Sequence, residues 1–313
     1  MNDNSNARKG ILFAALTALM WGFLAIVLKV TLTNLNPVEV TWFRFTSAFL
    51  ILFLYLLLTD KASLKILINP PLLLILASCF LGLNYLGFIS GIDHTTPAIA
   101  QIFIQTGPVL LAMSGFIFFK EKASHRQIVG LFLVFLGLIV FYRNQILAFT
   151  SDIAKYQNGV LLTLFGAVMW AGFAVLQKKL VANHHPMHLN LVLFGLPALG
   201  YTPFVNFKVL PDLSNLEWGL LLFLGLNTLL AYGSLAYAFK FLEANKVSVI
   251  ITLNPILTFI AMAILGVFEV TWIMHENFTV ISVFGALFVI AGAVLTILKS
   301  RNGQRNIISE KTK

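Results

Sequence analysis

Ten long apolar runs separated by short polar segments make up almost the whole 313-residue chain. A helix needs roughly 20 apolar residues to cross a hydrocarbon core of about 30 Å, and it satisfies its own backbone hydrogen bonds there. The pattern therefore predicts an all-α integral membrane fold with ten transmembrane helices. The predicted spans are Gly10–Leu32, Val38–Leu58, Leu72–Gly91, Ala98–Phe119, Gln127–Tyr142, Gly159–Lys178, His188–Phe207, Glu217–Phe239, Ala244–Phe268 and Asn277–Leu298.

The first apolar run recurs in the sixth run, displaced by 149 residues. Met20–Lys29 reads MWGFLAIVLK, and Met169–Lys178 reads MWAGFAVLQK. Other positions match at the same or a similar displacement through both halves. These are Pro37 and Pro186, Gly82–Asn84 and Gly225–Asn227, Gly107–Pro108 and Asn254–Pro255, and the pairs Gly130/Gly137 and Gly285/Gly292. We interpret the chain as an internal duplication.

Each copy contains five of the predicted spans, and an odd number of crossings places the two copies in opposite orientations. We therefore expect two inverted five-helix repeats, residues 10–142 and residues 159–298. Residues 143–158 are the predicted linker, and residues 299–313 are the predicted tail. Inverted repeats are typical of carriers whose halves rock around a central substrate site.

The composition agrees with a protein surrounded by lipid. Charged residues are 11% and hydrophobic residues 59% of the chain, against roughly 25% and 45–50% in soluble domains. The net charge is +9, but the basic residues are scattered between apolar runs, so we expect no nucleic-acid binding. With the amino terminus inside, sixteen of the 21 Lys and Arg residues are cytoplasmic, three (Arg143, Lys155 and Lys208) are external, and Lys29 and Arg44 lie within spans. The positive-inside rule predicts a cell (inner or plasma) membrane protein with both termini cytoplasmic.

The amino-terminal run is interpreted as a retained helix. Arg8 and Lys9 precede it, as in a secretory signal peptide, but Gly10–Leu32 is longer than a signal core. The run also matches a segment of the second half, which a removed leader would not do. Cys79 is the only cysteine, so the sequence excludes an internal disulfide and a cysteine metal site.

The fourth run carries polar residues on one helical face. Gln101, Gln105 and Pro108 are spaced by four and three residues, so they stack along the same side of a helix. The matching positions of the ninth run, 147 residues later, are Ser248, Thr252 and Pro255. Two copies of a polar stripe ending in proline predict two helices that face a shared cavity for substrate. The alternative is that these side chains only bond neighbouring helices.

Aromatic and amide side chains extend the candidate cavity. The third and eighth runs contribute Asn84, Tyr85, Phe88, Asn227, Tyr232 and Tyr237. Aromatic rings with polar tips suit a cavity that binds organic molecules. We expect Trp21 and Trp170 to lie toward opposite membrane faces and to gate the path together with Pro108 and Pro255. The alternative for the two tryptophans is an interfacial aromatic belt.

Arg44 is the best candidate for a charged substrate contact. It follows Trp42 and Phe43 in the second run, where it would clamp a carboxylate or hold Glu39. Snorkelling to water is the alternative, as it is for Lys29. Every Asp and Glu falls in a loop or at a helix end, so proton or sodium coupling through a mid-membrane acid is not supported.

A set of spaced residues also carries a family resemblance. They are Trp21–Gly22 and Trp170, Pro37 and Pro186, Arg44, and Gly107–Pro108, Glu121, Gln127, Gly130 and Gly137 with their counterparts Asn254–Pro255, Glu269, Gly285 and Gly292. Together with the ten runs, they resemble the EamA-domain family of the drug/metabolite transporter superfamily, and the chain is similar to its aromatic amino acid and metabolite exporters. The resemblance implies a central cavity lined by helices three, four, eight and nine and gated by helices one and six.

The chain departs from this pattern at two places. Leu193 occupies the position that symmetry with Arg44 would give to an arginine, and about seven extra residues surround His275. Carriers of organophosphates or nucleotide sugars are an alternative, but such substrates require several cations in the cavity. Only Lys29 and Arg44 qualify.

We therefore predict an alternating-access transporter that exports, or facilitates diffusion of, small neutral or zwitterionic metabolites, most simply amino acids or related compounds. An integral membrane enzyme acting on a lipid-linked substrate is the alternative of another class. Its only dense candidate cluster is His184–His188, which lacks an accompanying carboxylate and is interpreted as a solvated loop. We expect no cofactor, no metal site and a monomer, with a homodimer as the alternative.

Overall fold

The computed structural model describes residues 3–95, 97–119, 124–141, 153–267 and 279–297. Within these ranges the regular elements are helices, as predicted, and no strand occurs. The α-helices are α1 (Asp3–Thr31), α2 (Pro37–Thr59), α3 (Leu72–His94), α4 (Pro97–Ile104), α5 (Thr106–Ile117), α6 (His125–Phe141), α7 (Ile153–Leu180), α8 (Pro186–Tyr201), α9 (Asn215–Phe241), α10 (Ala244–Ile251), α11 (Asn254–Val267) and α12 (Val280–Ile297). Short 3-10 helices cover Lys61–Leu67, Thr202–Phe204 and Phe207–Asp212.

Six helical stretches among the described residues are long and apolar enough to cross a membrane. They are Ser5–Thr31, Pro37–Thr59, Leu72–His94, Gln157–Leu180, Asn215–Phe241 and Ala244–Met262. The stretches Thr106–Ile117, His125–Val140 and Val283–Gly292 are apolar but shorter. The described part of the chain is thus all-helical, as is expected of an integral membrane protein, and the count of ten spans stays a prediction.

Several predicted boundaries differ from the observed ones. The fourth run is divided into α4 and α5, and the ninth into α10 and α11. The helix of the seventh run ends at Tyr201 instead of Phe207, because Pro203 interrupts the helix and 3-10 turns follow. The helix of the sixth run, α7, begins at Ile153, inside the predicted linker. The rest of that linker, residues 143–152, and the predicted tail lie outside the described residues.

The repeated prolines mark equivalent helix starts. Pro37 opens α2, where the Asn36 side chain accepts hydrogen bonds from the backbone N–H groups of Val38 and Glu39. Pro186 opens α8. Proline suits the first turn of a helix because its missing N–H has no helical partner there. The duplication therefore repeats a structural start signal.

Two helix pairs with close contacts each join one half of the chain to the other. In the pair α3–α7, a Cβ on Gly87 would lie 2.7 Å from the Leu162 carbonyl oxygen, so glycine permits the close backbone approach. Asn84 Nδ2 also donates to the Gly166 carbonyl of α7 at 2.9 Å. In the pair α1–α9, Asn227 Nδ2 donates to the Met20 carbonyl of α1 at 2.6 Å. The matched asparagines thus make matched contacts, each with the first helix of the other half.

A third pair, α6–α12, runs antiparallel and uses the repeated glycines. A Cβ on Gly137 would lie 2.8 Å from the Gly285 oxygen, and a Cβ on Gly292 would lie 2.5 Å from the Gly130 oxygen. The earlier glycine of one helix therefore faces the later glycine of the other. These contacts explain the matching spacing of the two glycine pairs.

The remaining contacts show which helix ends lie together. A Cβ on Gly10, near the start of α1, would meet Leu242 just after α9. A Cβ on Gly159, near the start of α7, would meet Thr95 just after α3. The paired helices α1 and α9 are therefore antiparallel, and so are α3 and α7.

Candidate functional site

A cavity lies between helices of both halves of the chain. Its volume is about 60 Å³, which is room for a few water molecules. A whole metabolite therefore requires the surrounding side chains to move. The lining residues are Trp21, Leu24, Arg44, Asn84, Tyr85, Phe88, Ile89, Gln101, Ile104, Gln105, Pro108, Trp170, Tyr232, Ile251 and Asn254.

Arg44 is the charged residue of the cavity lining. Its side chain comes from α2 and is only 1% exposed, so it does not snorkel to water. Arg44 Nε donates to Thr228 Oγ1 at 3.0 Å, and Nη2 donates to the Tyr85 hydroxyl at 3.3 Å. The guanidinium carbon also lies 4.4 Å from the centre of the Tyr85 ring. Hydroxyls and a ring face thus hold the cation in place.

No acidic side chain pairs with Arg44 among the described residues. Glu39, the other partner that the sequence suggests for Arg44, instead accepts a hydrogen bond from the Asn206 backbone N–H at 3.1 Å. Removing a cation from water is unfavourable unless an opposite charge or strong hydrogen bonds compensate it. The arrangement therefore leaves an anionic group as the best further partner for Arg44.

The breaks in the two divided helices meet at the cavity. Gln105 separates α4 from α5, and Thr252 and Leu253 separate α10 from α11. Gln105 Nε2 donates to Asn254 Oδ1 at 2.8 Å, which joins the two breaks across the halves. Each break lies a few residues before a proline, Pro108 or Pro255, whose missing N–H and ring disfavour a continuous helix.

Two amide oxygens of the lining are left as free acceptors. The side-chain oxygens of Gln101 and Gln105 are buried and accept no hydrogen bond from the described residues. A buried acceptor without a partner is unfavourable, so these oxygens favour a donor such as an ammonium group. The cavity therefore presents a cation and free acceptors together.

Four aromatic rings form a connected cluster beside these groups. The Trp21 and Trp170 rings meet edge-on at 5.9 Å between centroids. Trp21 also contacts Tyr232 at 5.5 Å, and Tyr232 contacts Tyr85 at 5.7 Å. The predicted placement of the two tryptophans toward opposite membrane faces is therefore wrong. Because α1 and α7 begin earlier than expected, both indoles lie near the middle of their helices.

Other predicted site residues lie outside the cavity lining. Ser248 Oγ donates to the Pro108 carbonyl and so joins the two divided helices. Thr252 Oγ1 donates to the Val249 oxygen of the preceding helix α10 at 2.7 Å. Tyr237 stacks on Phe13 at 5.1 Å between ring centroids. Asn227 bonds α1 as described above, and Pro255 is buried next to Asn254.

Several lining or supporting residues were not predicted from the sequence. Asn254 was recognised as the repeat partner of Gly107 but not as a site residue, although an amide just before a mid-helix proline is a usable signal. Thr228 follows the predicted Asn227 and supports Arg44. Leu24, Ile89, Ile104 and Ile251 give no signal, because an apolar residue in an apolar run is indistinguishable from a lipid-facing one.

The histidine segment lies at another part of the bundle. His188 Nε2 is 3.1 Å from Asp60 Oδ2, so the fold supplies a carboxylate that the local sequence lacks. His185 stands beside His188, with 4.7 Å between ring centroids. Burial lowers the pKa of His185, and the charges of His188 and Lys240 lower it further. The described residues contain no group of three side chains arranged to hold a metal ion.

Comparison with known proteins gives consistent matches over both halves of the chain. The model of the EamA-like transporter family matches residues 8–143 and 157–298. An uncharacterized transporter of Haemophilus influenzae is 32% identical over 292 residues, covering 92% of this chain and 94% of the relative. The uncharacterized inner membrane transporter YhbE of Escherichia coli is 29% identical over 295 residues, 93% of this chain and 92% of YhbE. A protein crystal structure resembles this fold with a TM-score of 0.73 and 16% identity, over 91% of this chain and 95% of that chain.

Proposed function

Because the chain belongs to the EamA-like transporter family, we propose that this multi-pass membrane transporter is an alternating-access carrier of small zwitterionic metabolites, most simply amino acids or related compounds. The family match confirms the resemblance inferred from the spaced residues. The substrate class rests on the cavity itself.

The proposed architecture is ten spans arranged as two inverted five-helix repeats. Three matched features support it: the asparagine contacts of α3–α7 and α1–α9, the antiparallel glycine contacts of α6–α12, and the divided helices of each half. Divided helices beside a site at the repeat interface are a recurrent feature of secondary transporters. We also propose the orientation with both termini cytoplasmic, from the positive-inside bias.

The single observation that carries the substrate class is buried Arg44 without an acidic partner among the described residues. A substrate carboxylate would form charge-assisted hydrogen bonds with its guanidinium. The free oxygens of Gln101 and Gln105 are suited to accept hydrogen bonds from the substrate ammonium. The adjacent aromatic rings offer apolar surface and cation–π contact. A zwitterion satisfies all three sets of groups at once.

A sugar phosphate or nucleotide sugar fits this lining less well. Such substrates carry two or more negative charges, and the described lining offers one cation, Arg44. For the energy source we propose facilitated diffusion or exchange, with net export as the direction. A steep dependence of uptake on an imposed pH gradient in proteoliposomes would contradict this energetic proposal.

The substrate class is tested by counterflow of radiolabelled amino acids into proteoliposomes, together with ligand-induced thermal stabilisation of the purified protein. For any amino acid that binds, we expect Arg44→Met to weaken binding about tenfold or more, since it removes a charged hydrogen bond. The decarboxylated amine of the same substrate should lose no further affinity in the variant. Arg126→Met, which removes an exposed arginine, is the control and should bind as the wild type does.

If Arg44→Met binds the amino acid as tightly as the wild type does, the carboxylate assignment is wrong. Preferential binding of sugar phosphates by the wild type would instead favour the organophosphate alternative.

A further inference from the structure

Two lysines make equivalent contacts with the ends of two helices. Lys29, near the end of α1, donates from Nζ to the Ile92 oxygen at 3.2 Å and the Thr95 oxygen at 3.1 Å, where α3 ends. Lys178, near the end of α7, donates from Nζ to the Phe239 oxygen at 2.7 Å and to the Leu242 oxygen, where α9 ends. Each lysine therefore caps a helix other than its own.

The two contacts are related by the internal duplication. The lysines are 149 residues apart, and the carbonyls they bind are 147 residues apart. The displacement of 149 residues also relates the first run to the sixth. The displacement of 147 residues also relates the fourth run to the ninth, and these runs follow the bound carbonyls directly in the sequence. The same contact between a lysine and the carbonyls at a helix end is thus present once in each half.

The two contacts lie at opposite ends of the bundle. The end of α3 lies beside the start of α7, because Gly159 approaches Thr95. The end of α9 lies beside the start of α1, because Gly10 approaches Leu242. Lys29 lies near the last residue of α1, whereas the contact of Lys178 with Leu242 lies near the start of α1. Most of the length of α1 therefore separates the two contacts.

The chemistry of each contact suits a helix end away from water. The last carbonyls of an α-helix have no partner within the helix and carry partial negative charge. A lysine ammonium satisfies them and interacts favourably with the helix dipole. Since α3 pairs intimately with α7, and α9 with α1, each lysine ties one pair to the other. The contacts therefore cross the boundary between α1–α9 and α3–α7.

We propose that Lys29 and Lys178 are two latches of the transport cycle, each closing one end of the path to the cavity. This inference rests on the proposed alternating access. When one end opens, water enters there and hydrates both the ammonium and the freed carbonyls, while the opposite latch stays closed. The structure holds both latches closed, in keeping with its small cavity.

The test measures access to the cavity from each membrane face. The background replaces Cys79 with serine and introduces a reporter by Ile89→Cys, since Ile89 lines the cavity. Labelling by a membrane-impermeant thiol reagent is followed in right-side-out and inside-out vesicles. We expect Lys29→Met to raise labelling about tenfold from the face where α3 ends, because a charged hydrogen bond is lost there. Lys178→Met should raise labelling to a similar extent from the opposite face.

The controls separate a latch from a general structural role. Lys179→Met removes an exposed cation next to Lys178 and should leave both labelling rates unchanged. Lys29→Arg and Lys178→Arg keep charged donors and should restore the wild-type rates. If a methionine variant is not recovered from membranes, the glutamine variant, which keeps one amide donor group, is used with the same expectation.

Equal changes from both faces, or no change in either variant, would overturn the latch proposal. Labelling requires no substrate, so it tests the latches even if no amino acid is transported. Conversely, amino acid counterflow by the wild type with unchanged labelling in the variants would reject the latches and leave the proposed function standing.

Discussion

Arg44 shows how one buried residue shapes the chemistry of a cavity. The Thr228 and Tyr85 hydroxyls bind its guanidinium but leave its charge in place. Both hydroxyls belong to helices that the sequence implicates in the site, and Tyr85 Oη also donates to Thr228 Oγ1 at 3.2 Å. The resulting cation is oriented before a substrate arrives, which reduces the entropy lost on binding.

The role of the amide oxygens is testable at Gln105. We expect Gln105→Leu to lower amino acid transport about tenfold or more, because it removes a free acceptor and the bond to Asn254. Counterflow is measured at equal protein density in the proteoliposomes. Gln157→Leu changes an exposed glutamine and serves as the matched control. Unchanged transport by Gln105→Leu would remove this residue from the proposed site.

A pH effect is expected at His185. Its pKa in the folded chain lies below the ordinary value of 6.5. The unfolded chain therefore binds protons more readily at mildly acidic pH, and the free energy of unfolding decreases as the pH falls below about 6.5. The effect should be smaller in His185→Asn. The check is the melting temperature in detergent between pH 7.5 and 5.5, and an identical pH dependence in the two proteins would contradict the prediction.

Residue spacing predicted polar groups of the cavity better than it predicted their partners. Gln101, Gln105 and Arg44 stand out because polar residues are rare within apolar runs. The contact between Trp21 and Trp170 could not be deduced in the same way, because it depends on where each helix begins and how deeply it crosses its neighbour. Helical periodicity shows on which side of its own helix a residue lies. It does not show which residue of a neighbouring helix stands opposite.

At the scale of elements, the division of the fourth and ninth runs into two helices each was not predicted from the sequence. Hydropathy is continuous across Gln105 and across Thr252, so each pair of short helices reads as one span. Proline gives only a weak indication, since transmembrane helices tolerate it when neighbouring groups satisfy the freed carbonyls. Here the side-chain contacts at the breaks, from Gln105 to Asn254 and from Ser248 to the Pro108 carbonyl, link the two halves of the chain, which a local pattern cannot reveal.

The α6–α12 pair offers a stability test for an element contact. We expect Gly137→Leu to reduce the free energy of unfolding by about 2 kcal/mol or more, because the side chain would collide with Gly285 and Val289. Gly219→Ala adds a side chain to α9 where nothing lies within 4 Å. This control should be neutral or slightly stabilising, since alanine favours helix more than glycine does.

Thermal unfolding in detergent, followed by circular dichroism, measures both variants. If Gly137→Leu melts at the wild-type temperature, the close antiparallel contact does not exist in the membrane protein.

At the scale of the whole molecule, charge bias predicts the orientation. We expect Lys208→Cys, in a Cys79→Ser background, to react with an impermeant thiol reagent added to intact cells. Lys61→Cys should react only after the membrane is opened, because it lies on the cytoplasmic side in the proposed topology. The reverse pattern would invert the proposed orientation.

The cross-half pairing has a consequence for biosynthesis. The intimate partners are α1 with α9, α3 with α7, and α6 with α12, so each pair combines one helix from each half of the chain. A ribosome inserts the first half long before its partners exist. The helices of the first half therefore stand in the bilayer before the helices that contact their glycines and polar side chains, such as Asn84, have been made. We expect their assembly to finish only after translation nears its end, which makes the nascent first half a natural client for membrane insertases and quality-control proteases.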